Sequence, residues 1–552
     1  MPVHLLTLIK QHRAFFIVLA FAAILFVSDI WIYKEFVRAE SYFAVGARLM
    51  TEQGDWLLPH APDELPLNKP PLTYWLIGIS YKLFGANYGA ARLPSALAAL
   101  FVLGLVYAVG ARLNGRRSGL ISAVMLASSF LFLSFARMAM SDMLLTLCVT
   151  AALACFILAL GDRSSPRWAL FGYVALALGV LAKGPVALVL VASPIGLELI
   201  LRRRWEEFKK LRVLPGLFVF ALIGAPYFFA VYARAGAAPL RFFFFGENLQ
   251  RFTGQIYGAS ARPVWYELVA FFADFAPWSI IVFVALWFNW RERGTNLSAP
   301  RLVHLWPACA IILFSLSSFK LDYYLLPAMP ATALLIAPVI VNGERLKPPA
   351  RRIVIALLIL CGLLIVVIAG LSVKASAMLS VEAPLKLMPL VLALSGLVGT
   401  VIVGSRGRAW PVALLLAATM WGTFISMQWF SLPSIRDFLP GAPIAAAVPA
   451  GSLLYTSHAA SDWANDIAFN LRAQHRVERL VEDTDNQRLL ATLKSDPKSV
   501  AVVRASEYAA LLVADPGLEI IAQAETFGHG GLRLNVIRNP RRDSLLLIGH
   551  GP

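Results

Sequence analysis

Ionisable side chains at the ends of apolar runs are the groups in this chain best able to do chemistry. In order they are Glu40 and Arg48, Lys69, Arg137 and Asp142, Lys183, Glu247 and Arg251, then Lys320 and Asp322. Charges next to long apolar segments are costly to keep, which makes each a candidate for function. The mixture points to one kind of chemistry. Cations hold a phosphate through charge-assisted hydrogen bonds, and a carboxylate orients or deprotonates a nucleophile. Both at a water–membrane boundary suit a reaction on a lipid-linked anion. Plainer roles stand beside these. Lys69, among prolines, can snorkel to lipid headgroups. Glu40 can pair with Arg48, and Asp142 can favour a helix amino terminus by roughly 0.3–1 kcal/mol.

The elements that must position these groups are apolar. Of 552 residues, 59% are hydrophobic and 15% charged, with a mean hydropathy of +0.70. A soluble chain has about 45–50% apolar and 25% charged residues. That excludes a water-soluble enzyme, a disordered chain and a secreted disulfide scaffold. Cys148, Cys155, Cys309 and Cys361 all lie inside apolar runs, so no disulfide framework is indicated.

About thirteen apolar runs have the length to cross roughly 30 Å of hydrocarbon. They include 14–33, 118–135, 167–182, 213–233, 265–290 and 323–341. The first follows Lys10 and Arg13 and reads as a retained signal anchor. Alternate loops carry the basic clusters, such as Arg112/Arg116/Arg117, Arg202 to Arg212 and Arg345 to Arg352. The positive-inside rule places those loops, and the amino terminus, in the cytoplasm. An odd number of spans then puts everything after about 431 on the far side. The net charge of +17 is mainly an orientation signal, and no nucleic-acid partner is expected.

Two polar stretches remain, 34–90 and 431–552, and both are expected to face outward. The second reads as a small α/β domain. Strand-like runs at Ser452–Thr456, Ser499–Val503, Leu518–Ile521 and Leu532–Ile537 alternate with helical patterns at 459–472, 485–495 and 506–514. The expected domains are therefore a membrane module, 1–430, and an outer domain, 431–552. The aromatic run Phe242–Phe245 is assigned to the membrane interface. The eight His residues show no metal-ligand spacing.

Several short motifs occur in a telling order. Asp55-Trp-Leu-Leu-Pro-His60, Asn68-Lys-Pro-Pro-Leu-Thr-Tyr-Trp75, Leu83-Phe-Gly85 and Ala91-Arg-Leu-Pro94 are followed by Ala136-Arg-Met-Ala-Met-Ser-Asp142 and Ala182-Lys-Gly-Pro185. Further on come Glu247-Asn-Leu-Gln-Arg-Phe252, Ala276-Pro-Trp278 and Ser318-Phe-Lys-Leu-Asp-Tyr-Tyr-Leu-Leu-Pro327. Over roughly 15–430 the chain resembles the bacterial aminoarabinose lipid A transferases and the related protein O-mannosyltransferases. The resemblance implies a GT-C type fold: an all-α polytopic membrane protein of about 13 spans with a carboxyl-terminal periplasmic α/β domain. It implies a glycosyltransferase of the bacterial inner membrane that moves a sugar, with inversion, from a polyprenyl-phosphate carrier to an envelope acceptor such as lipid A. By the same resemblance Lys69 contacts the carrier phosphate, while Lys183, Asp142 and Tyr324 line the active cavity. Arg48, Arg137, Arg251 and Lys320 join them as candidate phosphate or sugar ligands, with Glu40 and Asp142 as candidate catalytic carboxylates. The partners implied are the lipid-linked donor, a lipid or glycan acceptor and membrane lipids, with the protein a monomer. No cofactor is implied.

The chain departs from that family pattern at three places. The usual Asp-Glu pair of the first outer loop is Ala39-Glu40, so either the carboxylate role passes to Glu40, Glu35 or Asp142, or the acceptor needs little base assistance. Asn68 stands where a Glu is common and Asn248 where a His is usual, and losing both argues against a bound divalent ion. Two rival readings are kept: a transporter of lipid-linked sugars, which needs midplane charges and inverted repeats, and a catalytically inactive lipid-binding relative.

Overall fold

The computed structural model describes residues 11–550 apart from 29, 32–35, 37, 60–66, 162–164, 204, 256–261, 292–300, 344–345, 347, 379–384, 432–440, 450, 458–459, 461–463, 472–476, 480–484, 497 and 528–541. Glu35 and the strand expected at Leu532–Ile537 lie outside the described residues. Six described helices are long and apolar enough to cross a membrane: Tyr88–Asn114, Ser141–Leu160, Phe208–Ala235, Pro348–Lys374, Met388–Ser405 and Ala409–Phe430. Tyr266–Asp274 and Trp278–Trp290, bent by 115°, make a seventh if counted as one span. Shorter apolar helices, Arg13–Val27, Val186–Leu201, Arg301–Leu316 and Leu326–Val341, complete the bundle. The protein is a helical, multi-pass membrane protein.

Two expected spans are broken. The run at 118–135 forms separate helices, Arg116–Ala127 and Phe130–Phe135. Between them Ser128 and Ser129 turn their hydroxyls back onto the carbonyls of Val124 and Leu126, at 2.7 and 2.9 Å. Such local bonds give the backbone an alternative to the helical ladder. The run at 265–290 is interrupted around Pro277, which has no amide hydrogen to continue a helix.

Small residues set the packing. A Cβ on Gly119 would lie 2.4 Å from the Tyr107 carbonyl oxygen, and one on Gly110 would lie 2.8 Å from the Gly119 Cα. The Tyr88–Asn114 and Arg116–Ala127 helices therefore touch backbone to backbone, the close approach that drives helix association in membranes. The Val213–Ala235 helix instead turns Leu214, Phe218, Leu222 and Phe229 outward, all strongly exposed and on one helical face. In a bilayer that face meets lipid.

The carboxyl-terminal segment forms a five-stranded sheet. Its strands are β1 (Leu454–Thr456), β2 (Val477–Arg479), β3 (Val500–Arg504), β4 (Leu518–Phe527) and β5 (Arg542–His550), in the order β2-β1-β3-β5-β4. β1 runs parallel to β2 and β3, and β5 runs antiparallel to β3 and β4. Alternation divides the sheet's two faces. Val500, Val502, Leu545 and Leu547 belong to one buried cluster with Ile444 and Ile467, which extends to Phe43, Tyr74 and Ile77 of the 34–90 stretch. Ala501, Val503, Leu546 and Ile548 pack under Leu489, Leu493 and Leu511. β2, three residues long, and β5 are additions to the expected strands. The Leu-Leu-Leu-Ile core of β5 is buried on both sides, which gives a continuous apolar run and not an alternating one.

Candidate functional site

Leu67 to Lys69 form a turn, and Pro71 caps the Leu72–Phe84 helix, a place where the missing amide hydrogen of a proline costs nothing. The turn projects the Lys69 Nζ to 2.7 Å from Glu247 Oε2 and 2.7 Å from Asn68 Oδ1. Glu247 lies in a π-helical stretch, Phe242–Gln250, and is buried. Its Oε2 also accepts from Arg251 Nη1 at 2.9 Å, one turn on. The Arg251 guanidinium is stacked 4.4 Å from the Phe319 ring centre. Burial pulls the Lys69 ammonium below the usual lysine range; Glu247 opposes the shift, and the like charges of Arg251 and Lys183 add to it. π-helical turns recur at functional sites because they re-aim side chains. Here the nine-residue stretch makes Glu247 a partner for both cations.

The second half of the cluster joins two helix ends. Lys183 closes the Pro166–Lys183 helix and forms an ion pair with Asp142, in the first turn of Ser141–Leu160. The Lys183 ammonium sits 5.6 Å from the Tyr323 ring centre and 5.5 Å from that of Tyr324. Gly184 follows with φ +88°, and a Cβ there would meet the Phe243 ring at 2.7 Å. The turn after Lys183 therefore packs directly on the π-helical stretch that carries Glu247. Asn248 donates to the Phe243 carbonyl at 2.7 Å, so it ties the stretch to itself.

A third strip, 317–324, is pinned by the Ser318 amide donating to the Phe252 carbonyl at 2.8 Å. Asp322 accepts from Arg262 and from the Tyr266 hydroxyl. Lys320 is buried and turns its ammonium onto the Ser317 carbonyl of its own strip. Nearby Glu267 is fully buried, and among the described residues neither carboxyl oxygen has a hydrogen-bond partner.

The remaining candidates lie further out. Glu40 is buried; its oxygens accept from Arg92 at 2.9 and 3.1 Å and from the Ala139 amide at 2.9 Å. Arg137 stacks 5.3 Å from the Phe424 ring centre. Arg48 donates to backbone carbonyls of Ala468, Phe469 and Leu471 in the carboxyl-terminal segment. The structure thus gathers Lys69, Arg251, Lys183, Asp142 and Tyr324, with Glu247, at one place; Arg48, Arg137 and Lys320 engage other partners. Glu247 was visible as a charge beside an apolar run, but nothing showed that it bridges two cations. Arg92, within Ala91-Arg-Leu-Pro94, and Glu267, which shares the 265–290 run with Asp274, carry the same signal. Phe319 and Tyr323 carried none. Among the described residues no three His, Cys, Asp or Glu side chains gather to hold a metal.

The bundle of apolar helices, with a five-stranded sheet appended and a cationic cluster reached by Lys69, has the fold of the GT-C glycosyltransferases. Residues 68–229 match the family model described as dolichyl-phosphate-mannose-protein mannosyltransferase. An uncharacterised Aquifex aeolicus protein is 30% identical over 380 residues, covering 68% of this chain and 73% of that one. The undecaprenyl phosphate-alpha-4-amino-4-deoxy-L-arabinose arabinosyl transferase 1 of Pseudomonas fluorescens is 33% identical over 302 residues, 53% of this chain and 52% of its own. The chain thus spans about half the length of that named relative. In fold it is similar to ArnT from Cupriavidus metallidurans bound to undecaprenyl phosphate, with a TM-score of 0.75 at 21% identity over 96% of both chains. The chain belongs to the protein O-mannosyltransferase-like family of membrane glycosyltransferases, which also holds the bacterial aminoarabinose transferases.

Proposed function

We propose that this protein transfers a sugar from a polyprenyl phosphate, undecaprenyl phosphate in bacteria, to an envelope glycolipid or glycan such as lipid A. The observation that carries the reading is the meeting of Lys69, Arg251 and Lys183 around two carboxylates. Among the described residues three cations meet two carboxylates there, an excess of positive charge that suits a carrier phosphate. Beside the cluster runs an apolar groove of 540 Å³, lined by Val180, Pro185, Leu188, Phe220, Phe228 and Phe244 among others. Pro185 and Phe244 are each within two residues of the cluster's own Lys183 and Phe243. A phosphate at the cations places an isoprenoid tail along that groove.

The chemistry follows from the ion pairs. In the resting arrangement Asp142 holds Lys183 and Glu247 holds Lys69 and Arg251. An arriving phosphate draws Lys183 toward itself and frees Asp142 for the acceptor. The acceptor hydroxyl attacks the anomeric carbon with inversion, its oxygen bonding as the bond to the phosphate oxygen breaks. Asp142 takes the hydroxyl proton. The departing phosphate gains charge, which the cations stabilise; one preorganised donor contributes about 2.7–4 kcal/mol to such a transition state. Glu40, held by Arg92 and the Ala139 amide, acts one step back by fixing the segment that leads into Asp142.

The topology proposed with this function has about thirteen spans. The amino terminus is cytoplasmic and the module is residues 1–430. The α/β domain, 431–552, is periplasmic, and the protein works as a monomer. Mass spectrometry of envelope lipids and glycans, with and without the gene, tests the function. A sugar adduct disappears on deletion, and Lys69→Ala fails to restore it. If no adduct changes, the transferase reading is lost.

A further inference from the structure

Residues 468–471 end the Ala464–Asn470 helix, and the last carbonyls of a helix have no intrahelical donor. Here a single side chain from the first polar loop covers them. Arg48 Nη1 donates to the Phe469 carbonyl at 2.5 Å and the Leu471 carbonyl at 3.2 Å; Nη2 donates to the Ala468 carbonyl at 3.0 Å. The Tyr88 hydroxyl donates to Asn470 Oδ1 at 2.7 Å. The Phe469 ring is set edge-on to Phe36 at 4.7 Å and to Tyr88 at 5.1 Å.

Arg48 and Glu40 lie on the same helix, Arg38–Gln53, eight residues or about 12 Å apart. Glu40 holds the Ala139 amide and the Nε and Nη2 groups of Arg92. The Arg92 guanidinium is stacked 5.2 Å from Phe36, the ring that also touches Phe469. Ala139 is three residues before Asp142, which pairs with Lys183. Two routes therefore run from the end of the Ala464–Asn470 helix to the turn before Asp142. One passes through Arg48 and the body of its helix, the other through Phe36 and Arg92, and they meet at Glu40.

We infer that the carboxyl-terminal domain braces the reaction site and that Arg48 is the positioning residue through which it does so. Residues 468–471 fix the Arg38–Gln53 helix, and Glu40 on that helix holds the Ala139–Asp142 turn where Asp142 meets Lys183. The inference rests on Asp142 and Lys183 belonging to the site proposed above. A charged residue assigned by sequence to ligand binding thus works through the protein's own backbone.

Hydrogen–deuterium exchange on the full-length protein in lipid nanodiscs tests this, with transfer kinetics and undecaprenyl phosphate binding measured on the same samples. Arg48→Ala raises exchange about tenfold at 464–471 and also at 139–142. It lowers kcat about tenfold and changes undecaprenyl phosphate affinity less than twofold. Arg48→Lys recovers part of both effects. Tyr88→Phe, which removes only the Asn470 bond, shifts the same amides in the same direction by a smaller factor and serves where Arg48→Ala fails to fold. Faster exchange confined to 464–471, with 139–142 at the wild-type rate, overturns the brace. A wild-type protein that transfers no sugar overturns the proposed function instead, and the exchange at 139–142 still decides the brace.

Discussion

Glu247 accepts one hydrogen bond from Lys69, 178 residues earlier in the chain, and a second through the same oxygen from Arg251, one helical turn later. One buried carboxylate oxygen thus sets the spacing of two cations that would otherwise repel. Removing one partner of a buried ion pair leaves an uncompensated charge, at a cost of roughly 3–5 kcal/mol. Lys69 and Arg251 keep some exposure, so the lower end is expected for Glu247→Gln. Its thermal midpoint should fall clearly below wild type, and undecaprenyl phosphate should recover most of the loss by supplying the missing anion. A variant as stable as wild type without ligand would show that the carboxylate does not organise the cations.

Lys69 gives a pH dependence of definite sign. Its folded pKa is lowered from the ordinary value of 10.5, chiefly by burial. Between the lowered pKa and 10.5 the unfolded chain holds more protons, so this group makes stability rise with pH in that window. Phosphate binding needs the charged form and runs the other way. Affinity for undecaprenyl phosphate should fall as pH climbs through the lowered value, below the range of an ordinary lysine. Lys69→Arg should move the fall upward, since a guanidinium stays charged. Titrations of binding against pH for both proteins check it.

Asp142 and Lys183 share an ion pair but not a role. Lys183→Ala should weaken undecaprenyl phosphate binding, whereas Asp142→Asn should leave it within a fewfold and lower kcat by about 10²–10⁴, the usual contribution of a general base. Separate measurements of donor affinity and turnover decide this. Equal losses of affinity in both variants would make Asp142 a mere counter-ion.

Gly184 carries the turn between the two halves of the cluster. Any side chain there must adopt φ +88° and displace the Phe243 ring. Backbone strain of this kind costs on the order of 1–3 kcal/mol. Gly184→Ala should lower the thermal midpoint and, by moving Lys183, reduce transfer. Gly85, also at positive φ but with open space around it, serves as the control, because Gly85→Ala meets strain without a clash.

Lys69, Asp142, Lys183 and Arg251 were legible because each is a charge at the end of an apolar run, where only a partner justifies it. The same rule overreached for Arg48, Arg137 and Lys320. A cation at an interface can meet a phosphate, a carbonyl or a ring, and the sequence does not say which. Arg48 found the carbonyls of a domain 420 residues away, Arg137 the ring of Phe424, and Lys320 the carbonyl three residues before it. The fold was legible at the level of helices and an appended sheet. The breaks at Ser128–Ser129 and near Pro277 were not, because hydropathy measures burial and is blind to a lost backbone hydrogen bond. β5 was missed for a related reason, its two buried faces having erased the alternation that marks a strand.

The groove beside Lys183 is walled on one side by the Val213–Ala235 helix, whose Phe229 and Tyr232 line it and are strongly exposed. Arg234, two residues after Tyr232, anchors the carboxyl end of that helix to Asp55 at 2.8 Å. A lipid-linked donor held there, as proposed, would arrive sideways, by diffusion in two dimensions, without crossing bulk water. The concentration that governs its capture is then a mole fraction among the surrounding lipids. Dilution with inert phospholipid should slow the reaction at constant total substrate, whereas dilution with buffer should leave the rate per enzyme unchanged.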